Sequence, residues 1–230
     1  MKKLLIVALF AISSLNAQAE LVEKTVTFDF PAKSPGSSDV RWKGLDLLTG
    51  AFTDEPRFGA PGWQLRARLA YGSTNQGATV LKENQIFEAV TEAPADGYAA
   101  DVETDPDTGF GPTPKDTYNE KLNRWGVYNM MDHSYMPEPS VIVLRTAEKM
   151  YAKIQLVDYV KNGKTICFKN GRDGGLSKVK ETRDVAKYGQ DGMIHLTVRY
   201  VINTTPDDRK LGERVESPKP RGQLNASCAE

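Results

Sequence analysis

Between Trp125 and Met136 the chain reads Trp-Gly-Val-Tyr-Asn-Met-Met-Asp-His-Ser-Tyr-Met. Three methionines, one histidine and three aromatics fall within these twelve residues. Thioether sulfur and imidazole nitrogen are the common axial donors to haem iron. Met is also flexible and polarizable, which suits an adaptable apolar surface. In the competing reading, Trp125 and Val127 are core and the rest is a loop with a solvated His133. Composition alone favours that second reading.

Other chemistry is poorly supplied. The chain has two histidines, His133 and His195, too few for a His-rich metal centre. No GxSxG, HExxH, phosphate-binding glycine loop or EF-hand pattern occurs. Asp101, Glu103, Asp105 and Asp107 offer hard oxygens that suit calcium. In a Gly/Pro-rich stretch they read first as solvated surface. The absence of a nucleophile–base pair leaves a hydrolase with little support as a further reading, and the chain is expected not to be an enzyme. His195 is expected on the solvent side or rim of its strand, not as a ligand. The two cysteines, Cys167 and Cys228, belong to no CxxC. They either pair, pinning the C-terminal end to the body, or remain two thiols.

The elements that must position these residues alternate with period two. Val22, Val26, Phe28 and Phe30 share one face of a strand, opposite Glu23, Thr25, Thr27 and Asp29. Trp63, Leu65, Ala67, Leu69 and Tyr71 share another, opposite Gln64, Arg66 and Arg68. Ser140 to Tyr159 reads as two strands around a turn at Ala147–Lys149, with Val141–Leu144 apolar on both faces. Asn162-Gly163 is a strong hairpin signal, because both residues tolerate positive φ. Met193 to Ile202 is a further strand. Lys82 to Val90 is the best site for a short helix. Residues 94–114 read as turns, and 170–191 as an elaborated loop. The expected fold is one all-β domain of antiparallel hairpins with few short helices. It covers residues 20–203, followed by a polar tail over 204–230.

Residues 1–19 combine Lys2-Lys3, an apolar run from Leu4 to Ile12 and Ala17-Gln18-Ala19. This is the pattern of a removable secretory signal peptide. No cysteine follows Ala19, so a soluble periplasmic or secreted protein is expected rather than a lipoprotein. Export also permits a disulfide. Without the leader's two lysines the chain carries 28 basic against 30 acidic side chains. That balance gives no electrostatic case for nucleic acid. No later segment is apolar enough to span a bilayer.

Val141-Ile-Val-Leu-Arg-Thr-Ala-Glu-Lys-Met-Tyr-Ala-Lys-Ile-Gln-Leu-Val-Asp-Tyr159 resembles the C-terminal part of the HmuY family of haem-binding proteins. Gly192 to Tyr200 is similar to the family's final strand. Pro94-Ala-Asp-Gly-Tyr98 and Trp63 to Arg68, followed by Gly72 to Gly77, look like its upstream motifs. The resemblance runs in order from Val22 to Ile202. It implies an all-β fold whose fingers clamp haem or another porphyrin. It also implies a non-enzymatic carrier in iron acquisition, with an outer-membrane uptake receptor as a partner. One family ligand follows a tryptophan by five residues, which places Met130 here. Met131, His133 and Met136 are neighbours able to substitute. The second ligand is expected between Thr104 and Glu120, where Tyr118 is the candidate donor because neither His nor Met occurs. The alternative implied by that departure is a β domain that binds another ligand or a protein partner, with haem ligation lost.

Overall fold

The computed structural model describes residues 20–33, 40–69, 71–83, 85–104, 116–129, 134–137, 140–168 and 180–213. Two antiparallel sheets form the body. The larger runs β1 (Leu21–Pro31), β16 (Met193–Asn203), β13 (Tyr151–Lys161), β12 (Ser140–Arg145), β6 (Ala78–Glu83) and β7 (Ala99–Ala100). From β13 it continues into β14 (Lys164–Phe168) and β15 (Lys180–Asp184). The smaller runs β3 (Phe52–Asp54), β2 (Lys43–Leu45), β4 (Leu65–Arg68) and β5 (Tyr71–Thr74). Two separate hairpins complete the set. One pairs β8 (Val102–Thr104) with β9 (Asp116–Tyr118), the other β10 (Gly126–Asn129) with β11 (Ser134–Pro137).

The main core lies between the two sheets. Phe28 and Phe30 of β1, Ile154 and Leu156 of β13, and Leu196 and Val198 of β16 meet Leu45 and Leu65 of the smaller sheet. The opposite face of the larger sheet is also covered. There Val141, Val143, Tyr151 and Val201 pack against Phe87, Val90 and Leu211. Strand β12 therefore has Ile142 and Leu144 in one core and Val141 and Val143 in the other. This double burial explains its unbroken apolar run. Asn162 and Gly163 adopt φ of 51° and 72°, as their turn between β13 and β14 requires.

The structure departs from the sequence reading in several places. The stretch Trp63–Tyr71 is not one strand. It folds back between Arg68 and Tyr71, which are paired in register, with Leu69 at φ 53°. Leu69 stays buried, so the alternation continues through a turn that lacks the usual glycine or proline. Lys82 to Val90 holds the end of β6 and one 3₁₀ turn, Phe87–Ala89, rather than a helix. Residues 94–104 contain β7 and β8 as well as turns. Part of the 170–191 loop is strand β15, which pairs with β14. In the polar tail, Leu211 is fully buried and its N–H donates to Thr91 O at 2.8 Å. His195 is buried, not on a solvent rim: Asp29 and Asp191 carboxylates lie 2.7 and 2.9 Å from its two ring nitrogens, and Tyr188 stacks on it at 3.8 Å. Those polar partners are what make its burial affordable.

Candidate paired-hairpin site

The segment from Tyr118 to Trp125 leaves one hairpin and enters the other. Leu122 and Trp125 anchor it in the main core. Leu122 fits because Gly72 of β5 has no side chain: a Cβ there would lie 2.7 Å from the Leu122 Cβ. Asn119 is buried and joins three elements. Its N–H donates to Gly72 O at 2.9 Å, and its Nδ2 to Ala99 O at 3.0 Å and Asp101 Oδ1 at 2.8 Å. Its Oδ1 accepts from Thr79 Oγ1 at 2.5 Å.

Asp101 is a strut of this junction, not a solvated surface acid. Its Oδ2 accepts from Thr74 N and Thr74 Oγ1, both at 2.8 Å, and from Ser73 Oγ at 3.1 Å. Burial raises its carboxyl above the ordinary range, against the opposing pull of Asn119, Thr74 and Ser73. Among the described residues no group of three or more His, Cys, Asp or Glu side chains is arranged to hold a metal ion. Asp105 and Asp107 lie outside the described residues.

A second clamp fixes the β8–β9 hairpin to the smaller sheet. Arg66 Nη2 donates to Asp116 Oδ1 at 2.8 Å and to Thr117 O at 2.9 Å. Trp42 Nε1 donates to Asp116 Oδ2 at 2.6 Å. The Arg66 guanidinium lies 4.2 Å over the Trp42 ring. Sequence reasoning placed Arg66 on the outer face of a strand and gave it no role. Its spacing against Trp42 and Asp116 spans three separate segments, so no local pattern signals it.

The candidate ligands divide. Met130, Met131 and His133 lie outside the described residues, between β10 and β11. Met136 is in β11, with its backbone opposite Val127. Tyr118 is 1% exposed, with ring centroids 5.5 Å from Trp42 and 5.9 Å from Tyr71. Burial and then the Asp116 carboxylate push its phenol up, which disfavours the phenolate that ferric iron prefers. Trp125 is buried where the chain enters β10, and its indole N–H finds no acceptor among the described residues. Cys167 is buried in β14 and is not a free thiol, whereas Cys228 lies outside the described residues.

The two hairpins are thus rooted in one junction but rest on different sheets. β9 lies beside β5, and β11 runs alongside β13. A two-sheet all-β body carrying paired hairpins defines the class. The chain belongs to the HmuY family, whose profile matches residues 40–169. The fold is similar to that of the apo HmuY analog of Tannerella forsythia, at 19% identity and TM-score 0.53, covering 81% of this chain and 98% of that one. It is also similar to a Bacteroides fragilis protein provisionally described as a lipoprotein, at 18% identity and TM-score 0.52, covering 79% and 91%. No curated protein sequence matches the chain. Among the described residues no helix is long and apolar enough to cross a membrane.

Proposed function

We propose that this chain is an exported, non-enzymatic haem-binding protein that carries haem or another porphyrin in iron acquisition. Membership of the HmuY family is the observation that carries this reading. Met130 is the proposed principal axial ligand, with Met131, His133 and Met136 as neighbouring donors. The soft, neutral Met and His donors fit haem iron. Trp125 roots their hairpin in the core. The body's part is to hold the two hairpin roots fixed through Asn119, Asp101 and the Arg66–Asp116 clamp. Haem, when bound, would supply the iron to which these side chains ligate. The protein is proposed to act as a free periplasmic or secreted carrier that hands its cargo to an outer-membrane receptor. Pairing of Cys167 with Cys228 is proposed because Cys167 is not a free thiol and the sequence holds one other cysteine.

The ligand assignment is tested with Met130→Ala. This variant is expected to bind haemin at least about tenfold more weakly, the loss of roughly one charge-neutral coordination contact. Unchanged affinity and an unchanged Soret maximum would remove Met130 from the site.

A second reading is favoured by Tyr118. Its ring is buried between Trp42 and Tyr71, so the one donor expected on the first hairpin is not presented to solvent. In that reading the family body persists, haem ligation is lost, and the hairpins serve another ligand or a protein partner.

A further inference from the structure

Lys153 belongs to the Ala152-Lys153-Ile154-Gln155 stretch of β13, and its side chain turns to the second face of the larger sheet. It is 4% exposed. Its Nζ donates to Phe87 O at 2.9 Å and Val90 O at 3.0 Å. Among the described residues it forms no ion pair. The carboxylates that act on it electrostatically, Glu23 and Glu88, are held instead by Arg199 at 2.7 and 2.6 Å. Nζ also lies 4.4 Å from the centroid of the Phe87 ring, and a Cβ on Gly212 would lie 3.4 Å from Nζ. Lys153 and Gly212 both line a cavity of about 220 Å³ with apolar walls from Leu21, Phe87 and Leu211. Its rim carries Glu23, Glu88 and Glu213 against Arg199.

These facts constrain what the amine does. As an ammonium facing the cavity, Nζ has the two carbonyls and the Phe87 ring as partners, while burial and the nearby Arg199 charge oppose its own charge. As a neutral amine it keeps both carbonyl hydrogen bonds and points its lone pair there. Three rim carboxylates to one guanidinium disfavour an anionic occupant.

We propose that Lys153 is a nucleophilic amine and a covalent modification site for small uncharged carbonyl compounds, aldehydes being the class that fits. The Nζ lone pair forms a bond to the carbonyl carbon as the carbonyl π pair moves to oxygen. A proton passes from nitrogen to that oxygen; the carbinolamine hydroxyl then takes a second proton, from solvent, and leaves as water as the nitrogen lone pair forms the C=N bond. The protonated imine keeps one N–H for Val90 O, while Phe87 O retains the Val90 N–H at 3.4 Å. Burial, and then the Arg199 charge, lower the Lys153 ammonium from 10.5 to about 8. At neutral pH this leaves far more free amine than an ordinary exposed lysine, whose pKa is about 10.4.

The test labels the full chain with limiting formaldehyde and cyanoborohydride at about pH 7.5, close to neutrality. Peptide mass spectrometry then follows each lysine. Lys153 is expected to be labelled about tenfold faster than exposed lysines such as Lys149, allowing for restricted entry. Labelling at the exposed rate or below overturns the proposal. In Gly212→Ala the added methyl lies against Nζ at the cavity wall. Lys153 labelling is then expected to fall about fivefold while Lys149 is unchanged; equal Lys153 rates in the two proteins would overturn the cavity route.

Discussion

At the residue scale, the informative groups are polar side chains on the strand faces that turn away from the main core. Arg66, Lys153 and His195 each lie opposite an apolar face, and each is buried. Period-two alternation reports which face meets the principal core. It does not report that the other face is covered as well. Asp116 stands out because it accepts from both Trp42 and the buried Arg66. Asp116→Ala removes that acceptor and leaves the guanidinium buried without a carboxylate. It is expected to cost about 3 kcal/mol in urea unfolding, more than the double variant Asp116→Ala with Arg66→Met. Equal losses in the two would show that the pair is not coupled. Lys153 supplies a pH signature. Its folded pKa of about 8 lies below the unfolded 10.5, so between those values the unfolded chain binds more protons. Stability should therefore rise as pH increases through that window. Urea midpoints of the native protein should climb relative to Lys153→Met, and parallel profiles would contradict the assignment.

At the scale of elements, the long strands were legible and the short ones were not. β1, β12, β13 and β16 follow directly from their alternation or their continuous apolar run. The turn that splits Trp63–Tyr71 escaped because Leu69 is both a turn residue and a core residue. β7, β8 and β15 escaped because β7 and β8 are two or three residues long and β15 is polar, and pairing with a neighbour rather than composition makes them strands. The Asn162-Gly163 turn was legible because its backbone demands it. Gly163 is also tightly enclosed: a Cβ there would run into the carbonyl of Gly189. The Val185 N–H in turn donates to Gly163 O at 2.7 Å, closing β14–β15 back onto the turn. Gly163→Ala is expected to lose about 2–3 kcal/mol, from the left-handed φ and the overlap together. Thermal unfolding measures it, and a change below about 0.5 kcal/mol, typical of neutral surface positions, would contradict this packing.

At the scale of the molecule, the two halves of the candidate site differed in legibility. Met130 is proposed because the family resemblance puts a ligand five residues after a tryptophan, and that tryptophan, Trp125, is anchored in the core. The supporting frame of Asn119, Asp101, Arg66 and Asp116 was invisible, because its members come from segments far apart in the chain. The C-terminal region shows the same limit. Its polarity suggested a tail from residue 204, yet Leu211 closes the second core through contacts with distant residues. The proposed Cys167–Cys228 bond would extend that tethering. Thiol titration of the denatured chain should find no thiol before reduction and two after it, with reduction lowering stability by about 2–4 kcal/mol. Two thiols before reduction would refute the bond.

The central claim is that a HmuY-family body of two sheets and paired hairpins binds haem in this chain. Titration of the purified protein with haemin, followed in the Soret region, tests it most directly. The account predicts a shifted band that grows linearly and saturates at one haemin per chain. A flat titration, matching haemin in buffer alone, would contradict it.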